Sequence, residues 1–196
     1  MTFDPSKWFL GSLEVFSALI PGAIIVYTFR WLAIATEMIE DTPWPEREID
    51  WGVFLIISLV AGYLAQPPGH ALNWLYDHTY RQWRRRGGDP LFKCAQKVAA
   101  PHLGPKGSVY AWAKSEVAAA SKEQASKIDL IEGISKMFRT LSFLSFVSAT
   151  LLLAVQAWHW AATLAVVAVL SFFVFAERRF AATNEVYQSL MRTRKP

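Results

Sequence analysis

Residues Leu141–Ala176 read LSFLSFVSATLLLAVQAWHWAATLAVVAVLSFFVFA and contain no charged side chain. A bilayer core about 30 Å thick is crossed by about 20 apolar residues, each adding 1.5 Å to a helix. As one straight helix this run would be about 54 Å long, too long for a single crossing. It is therefore expected to fold back on itself. The turn should lie at Gln156–Trp160, the most polar and aromatic point of the run, because tryptophan suits the membrane interface.

Two further apolar runs complete the pattern. Val15–Ala35 has the length of a crossing and one charge, Arg30. Trp51–Gln66 is slightly short, and is expected to continue through His70 to Leu75 with a kink at Pro67 and Pro68. Prolines are tolerated at membrane depth when neighbours satisfy the freed carbonyls. The expected fold is an all-α polytopic membrane protein with four transmembrane helices and a small helical cytoplasmic segment. Composition agrees: 53% of residues are hydrophobic, against about 45–50% in soluble domains, and the excess is concentrated in these runs.

Charge asymmetry orients the spans. Leu75–Arg139 holds 12 of the 20 Lys and Arg residues, and five more follow Ala176. The loop Thr36–Asp50 has only Arg47 against Glu37, Glu40, Asp41, Glu46, Glu48 and Asp50. Since positive residues stay inside, both termini and the middle segment are expected in the cytoplasm. The resulting division is 1–75 as a first helix pair with an acidic external loop, 76–139 as a cytoplasmic helical segment, and 140–196 as a second hairpin with a basic tail. No cleavable export signal is expected, because Asp4 sits close to Lys7 and the apolar run is too long; Asp4 and Pro5 read instead as a helix cap and first helical position. Cys94 has no intrachain partner and is expected to be a small buried hydrophobe.

The middle segment reads as helices. Gly87, Gly88, Asp89 and Pro90 supply a turn and an N-cap for a helix through Ala100, followed by a loop at Pro101–Gly107. Ser108 starts another helix, and Ser121 with Gln124 forms a capping-box pattern for a third. In that third helix Ala125, Ile128, Ile131, Ser135 and Phe138 share a face, and nothing stops it running straight into the span.

Several polar positions are candidates for a site. His70, Asn73, Asp77 and Arg81 share one helical face, but the histidines His70 and His78 are wider apart than the H-x-x-x-H spacing of metal sites. The expected reading is a helix leaving the bilayer, with Asp77 paired to Arg81 and an interfacial belt of Trp74, Tyr76 and Tyr80. Trp83, Arg84, Arg85 and Arg86 are expected at the membrane interface, where arginines attract anionic headgroups, rather than on nucleic acid. Glu14 and Arg30 bracket the first span as intramembrane charges, which are costly and hence functional candidates. Pro21 and Gly22 between them should kink the helix or admit a close neighbour. Ser142, Ser145 and Ser148 on the third span, and Ala161, Ala165, Ala168 and Ser171 on the fourth, form small-residue stripes for helix packing or pore lining.

No Gly-rich phosphate loop, cysteine pair or nucleophile triad is present, so no catalytic residue, cofactor or metal is expected. The segments Tyr110–Ala113 and Ser135–Arg139, with the paired spans around them, resemble small bacterial inner-membrane proteins, a resemblance that implies no activity. The expected function is a non-enzymatic, oligomeric inner-membrane anchor, sensor or membrane-permeabilising effector, of the kind used in bacterial defence, controlled through its cytoplasmic helices. Its expected partners are the lipid bilayer, further copies of itself and a cytoplasmic protein. The alternative is a membrane-embedded enzyme or transporter using Glu14, Arg30, His70 and Asp77.

Overall fold

The computed structural model describes residues 5–41, 44–85, 89–103 and 107–193, with side chains from Val15 onward, and every regular element among them is helical. In chain order these are α1 (Pro5–Ala35), α2 (Glu48–Ala65), α3 (Ala71–His78), α4 (Tyr80–Arg84), α5 (Pro90–Ala99), α6 (Val109–Ala120), α7 (Lys122–Ala154) and α8 (Trp158–Thr193), with short 3-10 turns at Pro68–His70 and Ala100–His102. Four of them, α1, α2, α7 and α8, are long and apolar enough to cross a membrane. Asp4 lies outside the described residues, as do Arg86, Gly87 and Gly88.

The four long helices pack in the order α2, α1, α7, α8. Small residues set the first contact. A Cβ on Gly22 would fall 1.7 Å from the Ser58 carbonyl oxygen, and one on Gly62 would fall 1.9 Å from that of Ala18. The backbones of α1 and α2 therefore touch, as small-x-x-x-small pairs allow. Pro21 is fully buried beside this contact, so Gly22 admits the close neighbour that its sequence position suggested. Many large side chains point the other way: Phe16, Phe29, Ile56, Leu64, Leu170 and Phe173 are exposed, while Ile25, Phe54 and Leu144 are buried.

The hairpin of α7 and α8 turns where expected. Gln156 takes a left-handed φ of 59°, and the Ala157 N–H reaches back to the Leu152 carbonyl at 3.0 Å. Trp158 and Trp160 are exposed at the tip. Along the hairpin the Ser142 hydroxyl donates to the Ala168 carbonyl at 2.8 Å.

Both helices run past the apolar segment without a break, and α5 and α6 fold around their far ends. Val117, Ile128, Val186, Tyr187 and Leu190 form this cap's core, with Ala95 and Ala113 letting the helices approach. The caps read from sequence are present: Asp89 accepts from the Phe92 N–H at 2.9 Å, Ser108 from Ala111 at 3.4 Å and Ser121 from Gln124 at 3.3 Å. The Gln124 side chain does not complete a capping box, because its carbonyl oxygen accepts from the Ser189 hydroxyl at 3.1 Å. The boundaries drawn at 76 and 140 fall inside α3 and α7.

Three expectations need correction. First, α2 does not continue through the prolines: the Gln66 N–H already bonds in the tighter pattern to Tyr63, and Pro68 opens a separate 3-10 turn. The candidate span is Glu48–Ala65 alone. Second, Tyr76 is not an interfacial ring but is 4% exposed, edge-on to Phe175 at 5.8 Å. Third, Cys94 is exposed. On α5 the core face belongs to Ala95 and Ala99, and the preceding position points about 100° away.

Candidate functional site

The sequence-derived candidates do not converge on one place. Arg30 sits at the loop end of α1, its guanidinium 6.0 Å from the Trp44 ring. His70 and Asp77 lie beyond the opposite end of α2, because α2 runs antiparallel to α1. The Glu14 side chain lies outside the described residues. Asp77 and Arg81 pair at 2.8 Å, as expected. The common helix face is nevertheless interrupted at Thr79 (φ −113°, ψ −79°), which separates α3 from α4. His70 is exposed, while the His78 ring packs on Trp74 at 4.5 Å with Nδ1 2.8 Å from the Trp74 carbonyl.

The arginine run is held largely by its own chain. Arg84 lies 5.8 Å from the Tyr80 ring, 5.9 Å from Trp83 and 5.7 Å from Phe180. Arg85 pairs with Asp89 at 2.9 Å and lies 5.4 Å from the Phe92 ring. Such contacts fasten α4 to α5 and α8 through cation–π attraction. Trp83 is exposed, and Arg86 is outside the described residues.

The small-residue stripes are mostly buried within the chain. Ser142, Ser145 and Ser148 face inward from α7, as do Ala161, Ala168 and Ser171 from α8. Ala165 is exposed and stands off that line. The hydroxyls of Ser145, Ser148 and, on α2, Ser58 are buried without a protein partner.

A polar junction that no motif announces lies where α3, α6, α7 and α8 meet. Arg179, Thr183 and Tyr187 stand one turn apart on α8, opposite Tyr76, Asp77 and Arg81, and line a cavity of about 170 Å³. Ser108 and Tyr110 close it from the α6 side. Tyr110 donates to Glu132 on α7, whose other oxygen accepts from Lys114 at 2.8 Å; Lys114 also reaches Asp129 at 2.8 Å. Burial by itself would push the Glu132 carboxyl up, but the bonds from Lys114 and Tyr110 outweigh it and hold the group below the usual carboxylate range. Burial and the Glu132 bond push the Tyr110 phenol up. Burial pushes Tyr76 up to about 12 despite the nearby arginines.

Arg139 on α7 is 7% exposed. Its Nε has no partner among the described residues, and the charge facing it is another cation, Arg179. The wall on its other side is the Pro68–His70 turn, with Gly69 placing its Cβ direction 3.9 Å from Nε. Comparison with protein-family models, with curated proteins and with solved structures finds no match.

Proposed function

We propose that this chain is a non-enzymatic, multi-pass membrane anchor and sensor of the bacterial inner membrane, in which the state of a cytoplasmic helical cap is passed to the spans through α7 and α8. The observation that carries this reading is continuity: each of the two helices contributes to both the apolar row and the cap core without an intervening hinge. The outward bulky residues and inward small ones fit lipid as the surrounding solvent. The basic segments fit a cap and termini on the cytoplasmic side. The separation of Arg30 from His70 and Asp77 leaves the enzyme or transporter reading without a shared site.

Coupling is tested by labelling a span while loosening the cap. A single cysteine at Ser148, in a Cys94→Ala background, is buried inside the row and should react slowly with N-ethylmaleimide in native membranes. Adding Ile128→Ala in the cap core should raise that rate several-fold if cap and spans move together. An unchanged rate, with the cap shown loosened by faster hydrogen exchange, would leave an inert anchor.

The effector form of this reading adds oligomerisation and a leak. Overexpression would then dissipate the membrane potential, and crosslinking in native membranes would trap multimers. Because Ser145 and Ser148 are covered within one chain, any path lined by them requires the α7 contacts to open. An oligomer without leak supports the sensor form alone.

A further inference from the structure

The cavity between α3, α6 and α8 is lined by hydrogen-bond donors and lies in an excess of positive charge. Arg81, Arg179 and Asp77 line it, the charges of Arg85 and Asp89 reach the lining Tyr187, and Arg139 faces Arg179. Asp77 neutralises Arg81 and Asp89 neutralises Arg85. Arg139 and Arg179 remain, and no carboxylate among the described residues pairs with either. Glu132, which accepts from the lining Tyr110, is already held by Lys114. Two adjacent guanidiniums in a partly buried place are electrostatically unfavourable unless an anion joins them.

The neutral groups point the same way. The Tyr76 and Tyr187 hydroxyls have no hydrogen-bond partner among the described residues, and each carries a proton to give. Ser108 accepts from the Ala111 N–H through its oxygen, which leaves its proton free. Tyr110 and Thr183 are engaged elsewhere, donating to Glu132 and to the Arg179 carbonyl. With the Arg179 fork this makes a set of donors from three elements, and the one lining carboxylate is already paired.

Size limits the ligand. About 170 Å³ is the share of five or six waters at about 30 Å³ each. It is smaller than the roughly 300 Å³ at which sites for whole organic ligands begin. We infer that this cavity binds a phosphate group, with Arg179 as its charge partner and Tyr76, Tyr187 and Ser108 as neutral donors. Planar guanidinium forks suit phosphate oxygens better than a point charge does. Binding would tie α3 and α6 to α8, so the inference deepens the sensor reading, on which it rests for its consequence, by naming the chemistry of the trigger. Arg179 stands three residues beyond Ala176, about 4.5 Å along the helix, and Tyr187 about 16 Å. With Ala176 at the edge of lipid, the same phosphate chemistry can come from a lipid headgroup or from a soluble phosphate.

The test uses the full chain in nanodiscs, following thermal unfolding by tryptophan fluorescence. In neutral lipid, inorganic phosphate should raise the midpoint where chloride at equal ionic strength does not. Arg179→Gln should weaken the response at least tenfold, Tyr187→Phe a few-fold, and Arg178→Gln, on the exposed neighbour, not at all. Arg179→Lys keeps the charge and should restore part of the response, which separates lost binding from lost folding. If the source is lipid, phosphatidic acid in the disc should stabilise with the same dependence on Arg179 while soluble phosphate does nothing. No stabilisation from either source, or stabilisation that survives Arg179→Gln, overturns the site. Phosphate binding without any change in Ser148→Cys labelling would overturn the coupling reading and leave the site standing; coupling without phosphate binding would do the reverse.

Discussion

The apolar row and the cap differ in what makes their closest contacts: the row buries Ile25, Phe54, Leu144 and Leu152, but its backbones meet at small residues. Inside the row lie Ala18, Gly22, Ser58, Gly62, Ser145 and Ser148, while Phe16, Ile56, Leu64, Leu170 and Phe173 face out. Inside the cap lie Val117, Ile128, Tyr187 and Leu190, while Lys122, Glu123 and Lys127 face out. One chain thus follows two rules of burial. The cap obeys the rule of water, in which large apolar side chains gain by leaving the solvent. The row fits the rule of lipid, in which large apolar side chains gain little by burial and close approach of backbones weighs more. The change of rule occurs within single helices: α7 is capped by Ser121 and joins the cap core at Ile128, then presents Ser142 to Ala168 further along.

Substitutions can break this contrast, and the largest effect belongs to the row. Gly22→Leu or Gly62→Leu would drive a side chain into backbone under 2 Å away. Neither atom can yield, so α1 and α2 should separate and folded protein should be lost, at a cost above the roughly 1–3 kcal/mol of ordinary overpacking. Yield of monodisperse protein in detergent measures it. A Leu variant with wild-type yield would mean that the α1–α2 contact is wrong.

In the cap the sign is reversed, because removing volume does the damage. Ile128→Ala should destabilise by about 3 kcal/mol, within the range for a fully buried isoleucine, seen as early exchange of α5 and α6 amides. Tyr110→Phe, which takes one hydrogen bond from the charged Glu132, should cost about 2 kcal/mol. The same cluster sets a pH window. Glu132 is held below its unfolded value, so its contribution is present above about pH 4.3 and is lost as pH falls further. Tyr110 is raised, so its contribution is present below about pH 10 and is lost above it. Lys114 is raised as well, and loses its contribution as pH rises through its folded value. Cap stability should therefore be level between about pH 5 and 10 and fall on both sides, and Glu132→Gln should flatten the acid side.

The smallest effect is expected at Ala165. Its side chain is exposed, so Ala165→Leu should change folding by less than about 0.5 kcal/mol, whereas Ala168→Leu, inside the α7–α8 contact, should be felt strongly. If Ala165→Leu nevertheless reduces crosslinking between copies in native membranes, that face of α8 is where they meet.

What was legible in the sequence follows from how local each signal is. The spans are runs of one kind of residue, and the caps at Asp89, Ser108 and Ser121 sit three residues from the amides they bind, so both could be read directly. The Asp77–Arg81 pair is one helical turn. The junction cavity joins Tyr76 to Tyr187, more than a hundred residues apart, and depends on how α3 and α6 dock on α8. No spacing rule connects them. Tyr76 was misplaced for the same reason: its own neighbours describe a helix emerging from lipid, and the residues that cover it, Phe138, Phe175 and Ala176 among them, come from other helices. Cys94 shows the limit of residue type alone, since α5 offers its core face to Ala95 and Ala99. The Ala18-x-x-x-Gly22 and Ser58-x-x-x-Gly62 pairs were present in the sequence as close-packing signals, and they mark where the α1 and α2 backbones touch.

The central proposal is that two solvents meet along α7 and α8, with lipid around the row and cytoplasm around the cap. Paired alkaline phosphatase and green fluorescent protein fusions after Pro45 and after Gly107 test it most directly. The expected result is phosphatase activity without fluorescence at Pro45, and fluorescence without phosphatase activity at Gly107. An exported, phosphatase-active Gly107 fusion would put the cap on the other side of the membrane and contradict the whole arrangement.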